Sequence, residues 1–167
     1  VRGLAPAGCR LIEWGHKLSF AYDTPGGETP EALSALAAHI ADTRQLLCSS
    51  CQVIFLDTGD REEVRAFCRR FLPVLEAAME KGPPLDDGAA AQVTLAQYEQ
   101  RLESITAPGP EVFAGKGCSL TLGEDGELER SLQFGNPLVK ALPRTELPAM
   151  LRRHKGVLQT AGLLCAP

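Results

Sequence analysis

The stretch "RQLLCSSCQVIFL" (Arg44–Leu56) decides how the rest of the chain is read. "QVIFL" is a continuous apolar run, the pattern of a strand buried on both faces inside a parallel sheet. A polar turn carrying Cys48 and Cys51 stands immediately before it. Upstream, Thr29 and Pro30 have the chemistry of a helix cap and first helical position. Leu33, Leu36, Ala37 and Ile40 then recur at helical spacing as far as about Arg44. The local order is helix, two-cysteine turn, buried strand.

Working outward, "KLSFAY" reads as a strand and "CRLIEW" as another, or as one bent pair broken at Gly15 and His16. After the central strand, Asp60 and Glu63 predict a capping box, with Val64, Phe67, Cys68 and Phe71 as an apolar stripe and a kink or restart at Pro73. "KGPPLDDG" is a breaker. A third helix, from about Asp87 to Ile105, carries Leu95, Tyr98, Leu102 and Ile105 on one side. "CSLTLGEDGELERSLQF" predicts a hairpin around Gly-Glu-Asp-Gly, and "PLVKAL" a further strand. Thr145 caps a short helix with Leu147, Met150 and Leu151 inward, ended by Gly156, and "VLQTAGLLC" is the last strand. The alternation predicts an α/β fold, a three-layer α/β/α sandwich with a mainly parallel sheet.

The chain has 167 residues, 44% hydrophobic and 23% charged, enough for one domain with a real core. A net charge of -4 and the lack of basic runs with interleaved aromatics argue against a nucleic-acid partner. "RRHK" (Arg152–Lys155) falls where a helix ends, and cations there complement its dipole. No apolar run is long enough to cross a bilayer, so no membrane partner and a cytoplasmic location are expected. Six cysteines, mostly within apolar segments (Cys68, Cys118 and Cys165 among them), read as free thiols of a reducing compartment.

Four readings of "CSSC" stand side by side. Zinc needs four ligands, and His16, His39 and His154 lack ligand-like spacing, so no metal is expected. A thioredoxin-like dithiol follows a strand and opens a helix, the reverse of the order here. The two thiols can simply pack. Alternatively, a thiol on a helix-to-strand turn is held at the sheet edge, where ligands of open α/β sheets gather, with neighbouring N–H groups for an oxyanion. Such a nucleophile splits acyl transfer into two easier steps.

"LIEWGHKLS" (Leu11–Ser19) resembles the Glu-Leu-Gly-Gly-Lys segment of the aldehyde dehydrogenase superfamily, and Glu13 lies 35 residues before Cys48, a spacing similar to the family's. "LQFGNPLVKAL" resembles that family's Phe-Gly-Pro strand and "VLQTAGLL" its late strand. "CSS" before a β-branched strand is most similar to the acyl-CoA reductases of the bacterial bioluminescence type. The resemblance implies an aldehyde dehydrogenase catalytic domain with Cys48 as nucleophile, Glu13 as the family's general base, and Phe134 at the cofactor. It implies a fatty acyl thioester of coenzyme A or acyl carrier protein as substrate, an acyl-enzyme on Cys48, and hydride from NADPH or NADH to give an aldehyde. Cys51 is incidental in this reading. The family's second glycine is His16 here, and the acid that holds the cofactor ribose in many relatives is Leu132.

No glycine-rich dinucleotide fingerprint opens a helix after a strand, and "FAGKG" precedes a strand. With a first residue other than Met, the expectation is a single catalytic domain over residues 1–167, a fragment lacking the preceding dinucleotide-binding domain and inactive alone. The intact enzyme is expected to be at least a homodimer, through apolar edge strands near the C-terminus. Two alternatives remain: an oxidising aldehyde dehydrogenase-like enzyme using Glu13, and a non-catalytic module of the same fold kept for oligomerisation or binding.

Overall fold

The computed structural model describes residue 9 and residues 15–82, 84–106 and 111–164, with the side chains at 100, 101, 103, 104 and 106 outside that description. The expected first strand "CRLIEW" and Glu13 fall outside it. A six-stranded sheet has the order β3-β4-β5-β2-β1-β6. Its strands are β1 (Leu18–Asp23), β2 (Cys51–Leu56), β3 (Glu111–Gly115), β4 (Cys118–Leu122), β5 (Leu138–Ala141) and β6 (Leu158–Leu163). Every pairing is parallel except β3 with β4. The helices are α1 (Pro30–Thr43), α2 (Arg61–Lys81), α3 (Asp87–Thr106) and α4 (Leu147–Arg153).

β2 is central and every one of its residues is buried, as its unbroken apolar run requires. One face of the sheet packs on α1 and α2 through Leu36, Ile40, Phe67, Phe71 and Leu75, and the other on α4 through Phe20, Phe55, Leu142 and Met150. These are the three expected layers. Thr29 caps α1, its side chain accepting from the Ala32 N–H at 3.2 Å, and Leu33, Leu36, Ala37 and Ile40 are all buried.

Several local expectations are corrected. Asp60 caps α2 by accepting from the Glu62 N–H at 2.8 Å, but its own N–H goes to Thr58 Oγ1 at 2.9 Å, not to Glu63. The reciprocal half of the capping box is therefore replaced. α2 runs through Pro73 without a restart, because Phe71 and Leu75 anchor both sides of it in the core. Glu146 stands at the N-cap of α4 instead of Thr145, with no side-chain cap bond, and the helix ends at His154. The hairpin joins β3 to β4 around Lys116 and Gly117, where Gly117 takes φ +74°. Residues 123–132 form no strand, because they wrap the ammonium of Lys140. Its Nζ reaches Asp125 Oδ1 at 2.6 Å and the Glu127 carbonyl at 3.0 Å, and also bonds Glu129. Leu95, Tyr98, Leu102 and Ile105 share a face of α3 as the spacing requires; that face is exposed, and Val93 is buried.

Candidate active site

α1 ends at Arg44 and Gln45, both in the left-handed region (φ +48° and +59°), which turns the chain sharply towards β2. Cys48 sits in this turn and is exposed, whereas Cys51, the first residue of β2, is buried. The turn is fastened to its surroundings. Ser19 Oγ donates to the Cys48 carbonyl at 2.8 Å, and a His39 ring nitrogen lies 3.3 Å from the Ser49 carbonyl. The Ser50 N–H donates to the Leu47 carbonyl at 3.0 Å, and Ser50 Oγ accepts from the Leu47 N–H at 3.1 Å. Among the described residues, nothing accepts from the N–H groups of Cys48 and Ser49.

Cys9 is exposed as well, but Cys51, Cys68 and Cys118 have a different character. Burial pushes Cys51 up to about 12, with its Sγ 3.3 Å from the Val53 carbonyl. Burial likewise raises Cys68 and Cys118 to about 12. Only thiolates are good nucleophiles, so these three are inert packing groups at neutral pH. Among the described residues no group of three metal-binding side chains is assembled.

Cys48 opens into a cavity of about 820 Å³, whose walls include Leu47, Leu128, Arg130, Gln133 and His154. His16, Lys17 and Val157 complete the side formed by the starts of β1 and β6. The strands β1, β2 and β6 reach it by their amino ends, and α1 and α4 by their carboxyl ends, so the site lies at the amino edge of the parallel strands. The carboxyl edge, where open α/β sheets usually gather ligands, is the opposite one. Leu46 and Leu47, beside the thiol, are 55% and 57% exposed, an apolar rim. His154 is oriented by Glu127, Nε2 to Oε2 at 2.9 Å.

Phe134 is half-buried next to this cavity, and its neighbour Gln133 lines it. Gln133, Phe134 and Gly135 all have positive φ (65°, 51° and 87°), a strained run of the kind that surrounding structure must hold in place. The Phe134 N–H donates to the Arg44 carbonyl at 2.9 Å, tying this loop to the end of α1. Leu132 is in the same loop. The structure thus brings Cys48 and the Phe134 loop together; Glu13 lies outside the described residues.

A buried polar network was not foreseen from the sequence. The β1–β2 register slips between the pairs Ser19–Cys51 and Phe20–Val53, leaving Gln52 as the extra residue of a bulge. Gln52 Oε1 accepts from Ser131 Oγ at 2.9 Å and from the Ser131 N–H at 3.2 Å. Asn136 Oδ1 accepts from Ser119 Oγ at 2.7 Å, and its Nδ2 donates to the Gln133 carbonyl at 2.8 Å. One signal was available: Gln52 is a polar residue in an otherwise apolar central strand.

A family model described as acyl-CoA reductase (LuxC) matches residues 1–167. The chain belongs to the LuxC acyl-CoA reductase family. Solved structures agree on the fold. A bifunctional proline utilization A protein shares 16% identity at TM-score 0.63, over 98% of this chain and 18% of that one. The Δ-pyrroline-5-carboxylate dehydrogenase from Mycobacterium tuberculosis bound with NAD gives 12% identity and TM-score 0.54, over 90% of this chain and 35% of that one. The P. syringae indole-3-acetaldehyde dehydrogenase in complex with NAD+ and IAA gives 12% and 0.55, over 91% and 34%. This LuxC chain has the fold of aldehyde dehydrogenase catalytic domains. Ribosomal RNA large subunit methyltransferase M of Stutzerimonas stutzeri (strain A1501) is 34% identical over 85 residues, 51% of this chain. The chain spans only about a fifth of the length of that curated relative.

Proposed function

We propose that this chain is the nucleophile-bearing domain of an NAD(P)H-dependent reductase that converts a fatty acyl thioester into an aldehyde through an acyl group on Cys48. The observation that carries the reading is the exposed Cys48 on a fastened turn, opening into the cavity that Gln133 of the Phe134 loop also lines. Family membership supports the reaction class.

Cys48 Sγ, as thiolate, attacks the thioester carbon. The bond from that carbon to the carrier sulfur breaks, and the carrier leaves as a thiolate that takes a proton from solvent. The N–H groups of Cys48 and Ser49 are available to the oxyanion that develops. Leu46 and Leu47 offer the acyl chain an apolar footing beside the sulfur. The carrier, coenzyme A or acyl carrier protein, reaches the thiol from the open side of the cavity.

The residues present fit the reactive end of a nicotinamide cofactor. A cavity of about 820 Å³ has room for a flat heteroaromatic ring beside the acyl carbon, and Leu128 and Val157 give it apolar walls. When bound, NADPH or NADH supplies the hydride that converts the Cys48 thioester to an aldehyde and frees the thiolate. The rest of the dinucleotide belongs to a separate domain in this reading. The β1–α1 loop offers only adjacent Gly26 and Gly27, and the β2–α2 loop only Gly59, neither of which is a phosphate-binding fingerprint. Leu132, in place of an acid, leaves the ribose to be held by that domain.

The test is intact and peptide mass spectrometry after incubation with a long-chain acyl-CoA. An acyl adduct on Cys48, absent from Cys48→Ser, is expected. No adduct on the wild type, or an equal one on Cys48→Ser, refutes the proposal.

A further inference from the structure

We propose that Gln45 is the positioning residue of this site, a single buried carboxamide that holds the nucleophile turn and the Phe134 loop in register. The inference rests on the acyl-enzyme reading of Cys48 and adds to it a residue without chemistry of its own.

Gln45 has no solvent exposure. Its Oε1 accepts from the N–H groups of Gly135 at 3.1 Å and Asn136 at 2.9 Å. Its Nε2 donates to the Cys51 carbonyl at 2.8 Å and to Ser131 Oγ at 3.1 Å. All four hydrogen-bonding capacities of the amide are therefore used, and the flanking N–H and carbonyl groups fix which end is oxygen. The main chain of Gln45 joins in, its carbonyl accepting from Gln52 Nε2 at 2.9 Å and Gln133 Nε2 at 3.0 Å.

Two geometric consequences follow. The bond to the Cys51 carbonyl closes the turn from within, because Gln45 precedes Cys48 and Cys51 follows it. The bonds to Gly135 and Asn136 pin the strained run at Gln133–Gly135 to that closed turn. The thiol and the loop at the cavity rim thus share one anchor. No isostere substitutes for it. Glutamate keeps both acceptances but turns a carboxylate oxygen on the Cys51 carbonyl, and asparagine is one methylene too short to span both sides.

The experiment measures, on the intact protein, the rate of Cys48 acylation by a long-chain acyl-CoA and the pH profile of Cys48 alkylation by iodoacetamide. Gln45→Glu and Gln45→Asn are compared with Val64→Ala, a core truncation on α2 that lowers stability without touching the turn. Both Gln45 variants are expected to acylate about ten- to a hundredfold more slowly at saturating acyl-CoA. Their half-saturating concentration stays within about twofold, and the alkylation profile is displaced, while Val64→Ala moves neither. Acylation of either Gln45 variant within about twofold of wild type overturns the proposal. So does failure of both to fold, since the role would then be architectural only. If the wild type itself takes no acyl group, the thioester reading falls, and the alkylation profiles alone decide whether Gln45 places the sulfur.

Discussion

Replacing Asp23 by asparagine is expected to stabilise the protein, and only above mildly acidic pH. Asp23 is the last residue of β1 and has no exposure to solvent. Neither of its carboxylate oxygens has a hydrogen-bond partner of good geometry among the described residues, nor has Glu28 Oε2. Burial, reinforced by the Glu28 charge, raises its pKa from 3.8 to about 6, while the Thr24 N–H and the Arg70 guanidinium pull more weakly the other way. A raised pKa in an acid means that the folded state binds the proton more tightly than the unfolded state. The stability that protonated Asp23 contributes is therefore fully present below about pH 4, is lost as pH rises towards 6, and is gone above that. A shift of this size corresponds to roughly 3 kcal/mol between the two plateaus. Asparagine carries a permanent N–H for Glu28 and no charge, so Asp23→Asn should recover up to about 3 kcal/mol at neutral pH and nothing near pH 4.

Urea denaturation of both proteins, stepped from about pH 4 to about pH 8, measures this. Other carboxylates act in the opposite direction. Asp125, although burial pushes it up, is held below its ordinary value by Lys140. Glu127 is held low by Arg153 and His154. These cost stability as pH falls but are common to both proteins, so the difference curve isolates Asp23. Parallel curves at all pH values would refute the reasoning and mean that the charge is already neutralised in place.

Two more substitutions probe the packing. Phe67→Ala, which empties a site on α2 only 1% exposed and stacked on Phe71 at 5.5 Å, should cost about 3–5 kcal/mol in urea unfolding. Leu95→Gln, on the exposed face of α3 (62% exposed), should leave stability within about 0.5 kcal/mol of wild type; a loss of several times that would show the face to be covered.

How much of this could be read from the chain depends on where each residue's partners lie. β2, α1 and α2 were legible because their signals are local: an unbroken apolar run, a Thr-Pro start, a stripe at helical spacing. The position of Cys48 between α1 and β2 was legible for the same reason. The face of α3 was not, because periodicity says which residues share a side and not which side meets the core. The supposed second strand of the Gly-Glu-Asp-Gly hairpin failed for a sharper reason. A lysine at position 140 of a buried strand has to be paired, and the acids at 125 and 129 are what pair it. Lys140 in the middle of "PLVKAL" was the clue, and it outweighs the turn signal.

The site itself shows the same division between near and far. Cys48 belongs to a turn that a short run of consecutive residues defines. Its framework joins Gln45 to Gly135 and Asn136, and Gln52 to Ser131, across some 80 to 90 residues of chain. A hydrogen bond leaves no periodic trace in sequence, so such partners cannot be found by pattern. What sequence can show is a polar residue where burial is certain. Gln52 in a central, fully buried strand is such a residue, and the stretch from Gln45 to Gln52 carries one side of the framework, with Ser131, Gly135 and Asn136 on the other. A buried amide in that strand without its partners would cost about 1–3 kcal/mol. Its presence therefore implies the network, and the network in turn explains how a loop with three successive positive φ values is held beside the thiol.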